Sequence, residues 1–385
     1  MSSSIQEENK FISYLQDYWD IYVGVFCVAL AFYFYHNNMD ALATIVSAVA
    51  IGTLSLTVSE IAEILSERFP EPYGSFVLTA SAVIVEIILL YMILLQAVQD
   101  PEVVKTVKGG IIAAVIVDMN VLLGFAVFVG GLRFVEQEHN KDTSSTYTTI
   151  LLVASLALLV PSILNESNHS QTTLYQVSMI LSGLLMIYYI IIVVFQTKTH
   201  THFFKQTARS RLLRLKRKMK EEHDEEEDDD YLFDRFNNFG LIVAIFIFIA
   251  IIALSAEIFA HDGMKLAADY GISHGIAGLI IALISASPEL LTAVKAAKND
   301  EIQRVINIAM GASTVSILVT VPVLMGLAYA SHINLTLDFS PLEIGALIFT
   351  IILAWKTTEE GHTNYIEGLS HLMFFAAFTI IAAYY

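Results

Sequence analysis

The stretch Tyr73–Gln96, YGSFVLTASAVIVEIILLYMILLQ, carries a single charge, Glu86, close to its middle. An apolar run of this length reads as a helix that crosses a bilayer. A carboxylate at that depth is costly, so one that is kept there marks a functional position. The pattern recurs in the second half of the chain. Gly275–Ala296, GIAGLIIALISASPELLTAVKA, places Glu289 equivalently. Two deep carboxylates on matching helices point to a transport site at the interface of an internal repeat.

The rest of the chain fits that frame. Apolar residues make up 56% of it and charged residues 15%, with a mean hydropathy of +0.63. These values exclude an ordinary soluble domain and give an all-α polytopic membrane protein. A β-barrel needs short alternating segments, and these runs are long and continuous. Eleven spans are predicted: Ile21–Tyr35, Ala41–Leu65, Tyr73–Gln96, Gly109–Phe134, Tyr147–Leu164, Leu174–Gln196, Phe239–Ala260, Gly271–Ala297, Val305–Ala330, Pro341–Trp355 and Tyr365–Tyr385. The first is short and aromatic-rich, as a peripheral helix would be. Cys27 is the only cysteine, so no intrachain disulfide forms. The polar, acidic N-terminus does not read as a signal peptide.

Lys and Arg set the expected orientation. With the loop Thr197–Asn238 in the cytosol, all but three of the 21 basic residues fall inside, the exceptions being Lys105, Lys108 and Lys265. The N-terminus is then cytosolic. The formal charge of −17 owes much to one run, Glu221–Asp230, which follows a basic stretch, Lys205–Lys220. That loop reads as a solvated linker; a regulatory element responding to cytosolic divalent cations is the alternative.

The expected division is residues 1–40 as an N-terminal segment with the peripheral span, 41–197 as a first five-helix repeat, 198–238 as the cytosolic loop, and 239–385 as a second repeat. Five is odd, so the second repeat enters the membrane inverted. The order of polar features agrees. Ala62-Glu63-Ile64 corresponds to Ala256-Glu257-Ile258, Glu86 to Glu289, and Asp118 and Asn120 to the polar group Ser313, Thr314 and Ser316.

Calcium and similar hard cations take several oxygen ligands, carboxylates among them. The expected cation ligands are Glu86 and Glu289 with Ser285, Ser287, Asp118, Asn120 and Ser313. Pro288 lacks an N–H and is expected to free the Ile284 carbonyl as a further ligand. Glu63, Glu257 and Glu60, nearer the helix ends, are secondary sites or proton relays. No Lys or Arg lies in mid-span, so ion pairing is not expected to neutralise the carboxylates. Asp118 has a purely structural alternative, a hydrogen bond to Asn307 or a serine. Two carboxylates without a cation tend to hold protons, and a divalent cation displaces them, which is in itself an exchange mechanism. An ion channel is the rival from another class, although inverted halves favour alternating access. No HExxH pattern occurs and an enzyme is not expected. Neither a resident cofactor nor a nucleic-acid partner is implied. The partners are the bilayer, the transported cation and protons.

Particular residues carry a family resemblance. Ala62-Glu63-Ile64, Glu71-Pro72-Tyr73-Gly74 and Val85-Glu86 resemble the ChaA-type calcium (sodium, potassium)/proton antiporters of the cation/calcium exchanger superfamily. So do Gly278 through Pro288-Glu289, Ala293-Val294-Lys295-Ala296-Ala297 and Met310-Gly311-Ala312-Ser313. The resemblance runs from about Ala41 to the C-terminus. It implies two inverted five-helix repeats with one extra N-terminal helix, alternating access, and Glu86 and Glu289 as principal cation ligands. Vacuolar relatives carry an acidic segment like Glu221–Asp230. Where many superfamily members have Gly-Asn shortly before each key glutamate, this chain has Ala82-Val83 and Ser285-Ala286. The implied activity is export of a cytosolic cation, calcium first and sodium or potassium as the alternative, against protons across a prokaryotic plasma membrane.

Overall fold

The computed structural model describes residues 18–69, 73–167, 170–204 and 232–384. The extreme N-terminus, Glu71-Pro72, the basic stretch Lys205–Lys220 and the acidic run Glu221–Asp230 lie outside the described residues.

Eleven helices are long and apolar enough to cross a membrane. They are α1 (Trp19–His36), α2 (Asp40–Glu67), α3 (Tyr73–Gln96), α4 (Val103–Phe134), α5 (Lys141–Glu166), α6 (Gln171–Thr199), α7 (Asn238–Tyr270), α8 (His274–Lys298), α9 (Ile302–Ala330), α10 (Pro341–Thr358) and α11 (Tyr365–Tyr384). Each expected span has its counterpart. α7 is the one most underestimated from sequence. It continues past Ala260 to a stop at Gly271, whose φ of +64° is the left-handed conformation that glycine adopts at low cost.

Burial sorts the helices. In an 18-residue apolar stretch of each helix, 83% of the residues are buried in α4 and α9, against 22% in α1, α6 and α11. α4 and α9 therefore form the centre. α1, packed on α2 through Gly24 against Leu54, is peripheral as expected.

Both central helices are irregular at mid-depth. α4 turns π-helical at Val117–Leu123 and α9 at Ser316–Thr320. A π turn holds one extra residue, rotates the side chains that follow, and recurs at functional sites. The sequence had placed the interruption at Pro288. Instead α8 runs unbroken through it. The carbonyl of Ile284 is indeed freed, but the Ser287 hydroxyl donates to it at 2.8 Å. The backbone defect is thus repaired locally by the preceding residue.

Two helix crossings bring backbones into direct contact. At Gly278 of α8 an added Cβ would lie 2.6 Å from the nitrogen of Gly110 and 2.7 Å from the carbonyl carbon of Gly109, both on α4. At Gly368 of α11 it would lie 2.3 Å from the nitrogen of Phe128 and 2.6 Å from the oxygen of Gly124, again on α4. Small residues permit such approach in membrane helices.

The fold is not wholly helical. β1 (Glu136–Glu138) and β2 (His362–Asn364) pair antiparallel with Gln137 opposite Thr363. This short ladder ties the α4–α5 turn to the α10–α11 turn. At the opposite end, each of the three lysines set apart by sequence meets an acid. Lys105 pairs with Glu102, Lys108 with Asp338 at 2.6 Å and Lys265 with Asp40 at 2.5 Å. The basic charge at that end is neutralised where it stands.

Candidate cation site

A small cavity lies where α3, α4, α8 and α9 meet. Its polar lining is Glu86, Asp118, Ser285 and Glu289. Alanines and one valine complete the wall, among them Ala82, Ala114, Ala286 and Ala312. Its volume is about 10 Å³, room for one water-sized body. The short side chains are what leave the space, since larger residues at those positions would fill it.

Each carboxylate reaches the cavity from a different helix. Glu86, 8% exposed, accepts a hydrogen bond from Ser316 Oγ through Oε2 at 2.8 Å, while its Oε1 has no partner. Asp118 sits in the π segment of α4 and accepts from Ser313 Oγ at 3.2 Å. The structural alternative involving Asn307 does not occur, because Asn307 instead bonds Gln303 and the Phe204 carbonyl. Glu289 follows Pro288 on α8 and is partly exposed. The three carboxylates are close enough to feel one another's charge. A buried acceptor without a partner is expensive, and Glu86 Oε1 is one. Among the described residues no three His, Cys, Asp or Glu side chains form a closed metal cage. The cluster is an open cradle.

The remaining expected ligands divide between the cavity and other sites. Ser285 lines the cavity, although its hydroxyl also donates to the Ala282 carbonyl at 3.0 Å. Ser287 turns to Ile284 and lies beside Gly52 of α2. Asn120 is fully buried and points away, to Thr350 of α10 and His371 of α11. It is two residues from Asp118 in sequence, and an ordinary helix already separates such positions by about 200°.

The outer carboxylates also differ from expectation. Glu63 is ion-paired with Arg304, at the start of α9. Arg304 lies outside mid-span, but α2 brings Glu63 close enough to the same end to meet it. Glu60, about one turn away, is part-buried. Glu257 is exposed on α7, so the matching sequence triplets around Glu63 and Glu257 do not have matching surroundings. One serine-hydrolase pattern does occur in the sequence. Gly271-Ile272-Ser273-His274-Gly275 fits GxSxG, but no strand precedes it. Ser273 caps α8 by accepting from the Ile276 N–H and donates to the Ala382 carbonyl at 2.7 Å, so it is a capping residue.

Two further cavities flank the cradle. Toward the ladder end, a cavity of about 40 Å³ lies between α3, α5, α6 and α9, lined among others by Thr79 and Gly311. Phe204, from a short 3₁₀ turn after α6, closes part of its wall by packing edge-on to Tyr147 at 5.4 Å. The Phe203 carbonyl accepts from Asn140 and Thr143, which pins that turn. At the opposite end a vestibule of about 540 Å³ is lined by Lys108, Glu166, His274, Asp338 and Glu343. The Gly109–Gly110 and Gly278 contact lies between this vestibule and the carboxylates.

Comparison with known proteins agrees with this fold. The family model described as sodium/calcium exchanger protein matches residues 39–198 and 240–384. The sodium-potassium/proton antiporter ChaA of Escherichia coli (strain K12) is 27% identical over 349 residues, covering 85% of this chain and 86% of its own length. A Ca(2+)/H(+) antiporter of Synechocystis sp. is 22% identical, with 77% and 78% covered. Native YfkE superposes with a TM-score of 0.76 at 18% identity, covering 95% of this chain and 100% of its own. The H+/Ca2+ exchanger CAX gives 0.68 at 13% identity, covering 96% and 91%. At these identities the two structures speak for the fold alone.

Proposed function

Because the chain belongs to the sodium/calcium exchanger protein family, we propose that it is a secondary-active antiporter, exporting a cytosolic cation, calcium foremost, in exchange for protons. Its relatives include Ca(2+)/H(+) antiporters of two cyanobacteria. The supporting observation is the trio Glu86, Asp118 and Glu289 around a cavity for one occupant, with Glu86 and Asp118 buried and Glu86 Oε1 unpartnered. Three carboxylates this close require counter-charge. A divalent cation or protons supply it at the same oxygens, so loading one expels the other. Ser285 adds a neutral oxygen, and Ser313 and Ser316 hold two of the carboxylates in place. Alternating access then exposes the cradle to each face in turn. The N-terminus and the ladder end face the cytosol, in a multi-pass membrane protein of the prokaryotic plasma membrane. Glu60, part-buried on α2, and Glu257, exposed on α7, remain candidates for a proton relay beside the ion-paired Glu63.

A sodium or potassium/proton antiporter is the second reading, and the 27% identity to ChaA favours it. One experiment separates the two. Protein in sealed vesicles with a pH dye is given calcium, sodium or potassium, and wild type is compared with Glu86→Gln and Glu289→Gln. Calcium-driven proton movement lost in both variants is the expected result. Movement driven by sodium or potassium alone transfers the mechanism to the other cargo. Undiminished exchange in both variants would sink the proposal.

A further inference from the structure

Asp118 and Asn120 face opposite sides of α4. Asp118 lines the cradle, while Asn120 is fully buried against α10 and α11. The Asn120 side-chain amide donates to the Ile116 carbonyl at 3.0 Å and to Thr350 Oγ1 at 2.9 Å. The Ile116 carbonyl cannot donate, which fixes the amide orientation and turns Oδ1 to His371. An amide oxygen only accepts, so Nδ1 of His371, 3.0 Å away, carries the proton. Nε2 of a neutral ring is then the acceptor for the Thr357 hydroxyl at 3.1 Å. The result is a directed chain through three helices: Thr357 to His371, His371 to Asn120, Asn120 to Thr350.

The placement of His371 is fixed by backbone. α11 rests on α4 at Gly368 and Gly124, and a Cβ at Gly124 would come within 2.5 Å of the His371 Cβ. His371 therefore cannot slide along α4, and Asn120, one turn before Gly124, is held opposite its ring. Asn120 lies in the π segment Val117–Leu123, whose geometry is weaker than that of an α-helix. Removing the extra residue of a π turn re-registers its side chains by about 100°. That rotation would carry Asp118 away from the other two carboxylates.

We propose that Asn120 and His371 are positioning residues that lock the register of this π segment and so hold Asp118 in the cradle. The inference rests on the reading of Asp118 as a cargo ligand. Neither residue touches the cavity, so each acts through Asp118 alone.

The test measures the apparent KM for calcium in vesicle proton-release assays, with thermal stability in detergent alongside. The variants are Asp118→Asn, Asn120→Ala, His371→Leu, His371→Asn and the double variant Asp118→Asn/Asn120→Ala. Asn120→Ala and His371→Leu should raise KM about tenfold, in the same direction as Asp118→Asn. The double variant should be no worse than Asp118→Asn, because the two changes act on one element. His371→Asn places an amide nitrogen near the Nδ1 position and should recover most of the affinity. Loss of thermal stability with unchanged KM would make the network structural only and overturn the inference. Multiplying effects in the double variant would also overturn it, since the network would then act by another route. An unchanged KM in Asp118→Asn would overturn the ligand role itself, and this inference with it.

Discussion

Ser316 gives its hydroxyl hydrogen to Oε2 of Glu86 at 2.8 Å and leaves Oε1 bare. The donor stands at the first residue of the π segment of α9, so that irregular segment carries the bond that orients this carboxylate. A hydrogen bond to a charged group contributes about 1.5–3 kcal/mol. Ser316→Ala should therefore raise the calcium KM by about tenfold or more, and Ser316→Thr, which keeps the hydroxyl, should stay near wild type. Initial rates of vesicle proton release against calcium concentration give the answer.

Arg304 and Glu63 join α9 to α2 at a partly exposed position, with 25% and 35% of the two side chains accessible. Removing one partner should cost about 1–3 kcal/mol, less than for a fully buried pair. Arg304→Ala and Glu63→Gln should each lower the melting temperature. The charge exchange Glu63→Arg/Arg304→Glu should recover at least half of the loss. If the exchanged pair also transports, Glu63 serves the fold; a stable but inactive exchanged pair would restore it as a proton relay.

Gly278→Ala drives a methyl group into backbone atoms of α4. Overpacking of this kind costs about 1–3 kcal/mol. The expected result is a lower melting temperature and increased reactivity of a cysteine placed at Ala114 toward a water-soluble thiol reagent. Gly183→Ala is the control, since a Cβ there meets nothing within 4 Å. Equal behaviour of the two variants would mean that the α4–α8 contact has slack.

His139 supplies a pH dependence outside the spans. Burial lowers its pKa from 6.5 to about 4, and a ring nitrogen lies 3.1 Å from the Thr358 carbonyl. The unfolded chain takes up a proton near pH 6.5, and the folded chain resists until about pH 4. Stability from the neutral ring is complete above the first value. It falls as pH drops through that window, by about 3 kcal/mol at most. Melting temperatures of wild type and His139→Gln, which cannot titrate, should diverge below pH 6.5, the wild type falling more steeply. Parallel curves would refute the assignment.

The spans were legible in the sequence because hydrocarbon leaves a chain little choice: twenty apolar residues in a row allow few alternatives. Glu86 and Glu289 stood out because charge is rare in such runs. The direction of Asn120 was hidden because it depends on neighbours far along the chain, His371 and Thr350; that of Ser287 depends on a bond to Ile284 that forms only because α8 runs on through Pro288. Pro288 misled, since a proline reads as a break whether or not the preceding side chain can mend it. The π segments have no sequence mark of their own. Ser316 was visible as one polar residue among several in its span, but only the bulge of α9 singles it out as the partner of Glu86.

The size of the cradle decides the order of events. If the cradle is the cargo site, its room for one water-sized body keeps the inbound and outbound ions from occupying it together. Each must depart before the other arrives, so turnover follows a ping-pong scheme, and double-reciprocal plots of rate at several proton concentrations should run parallel. Tight coupling then needs no dedicated interlock. It requires only that the empty cradle, with three carboxylates and nothing to offset them, be the form least able to cross from one side to the other.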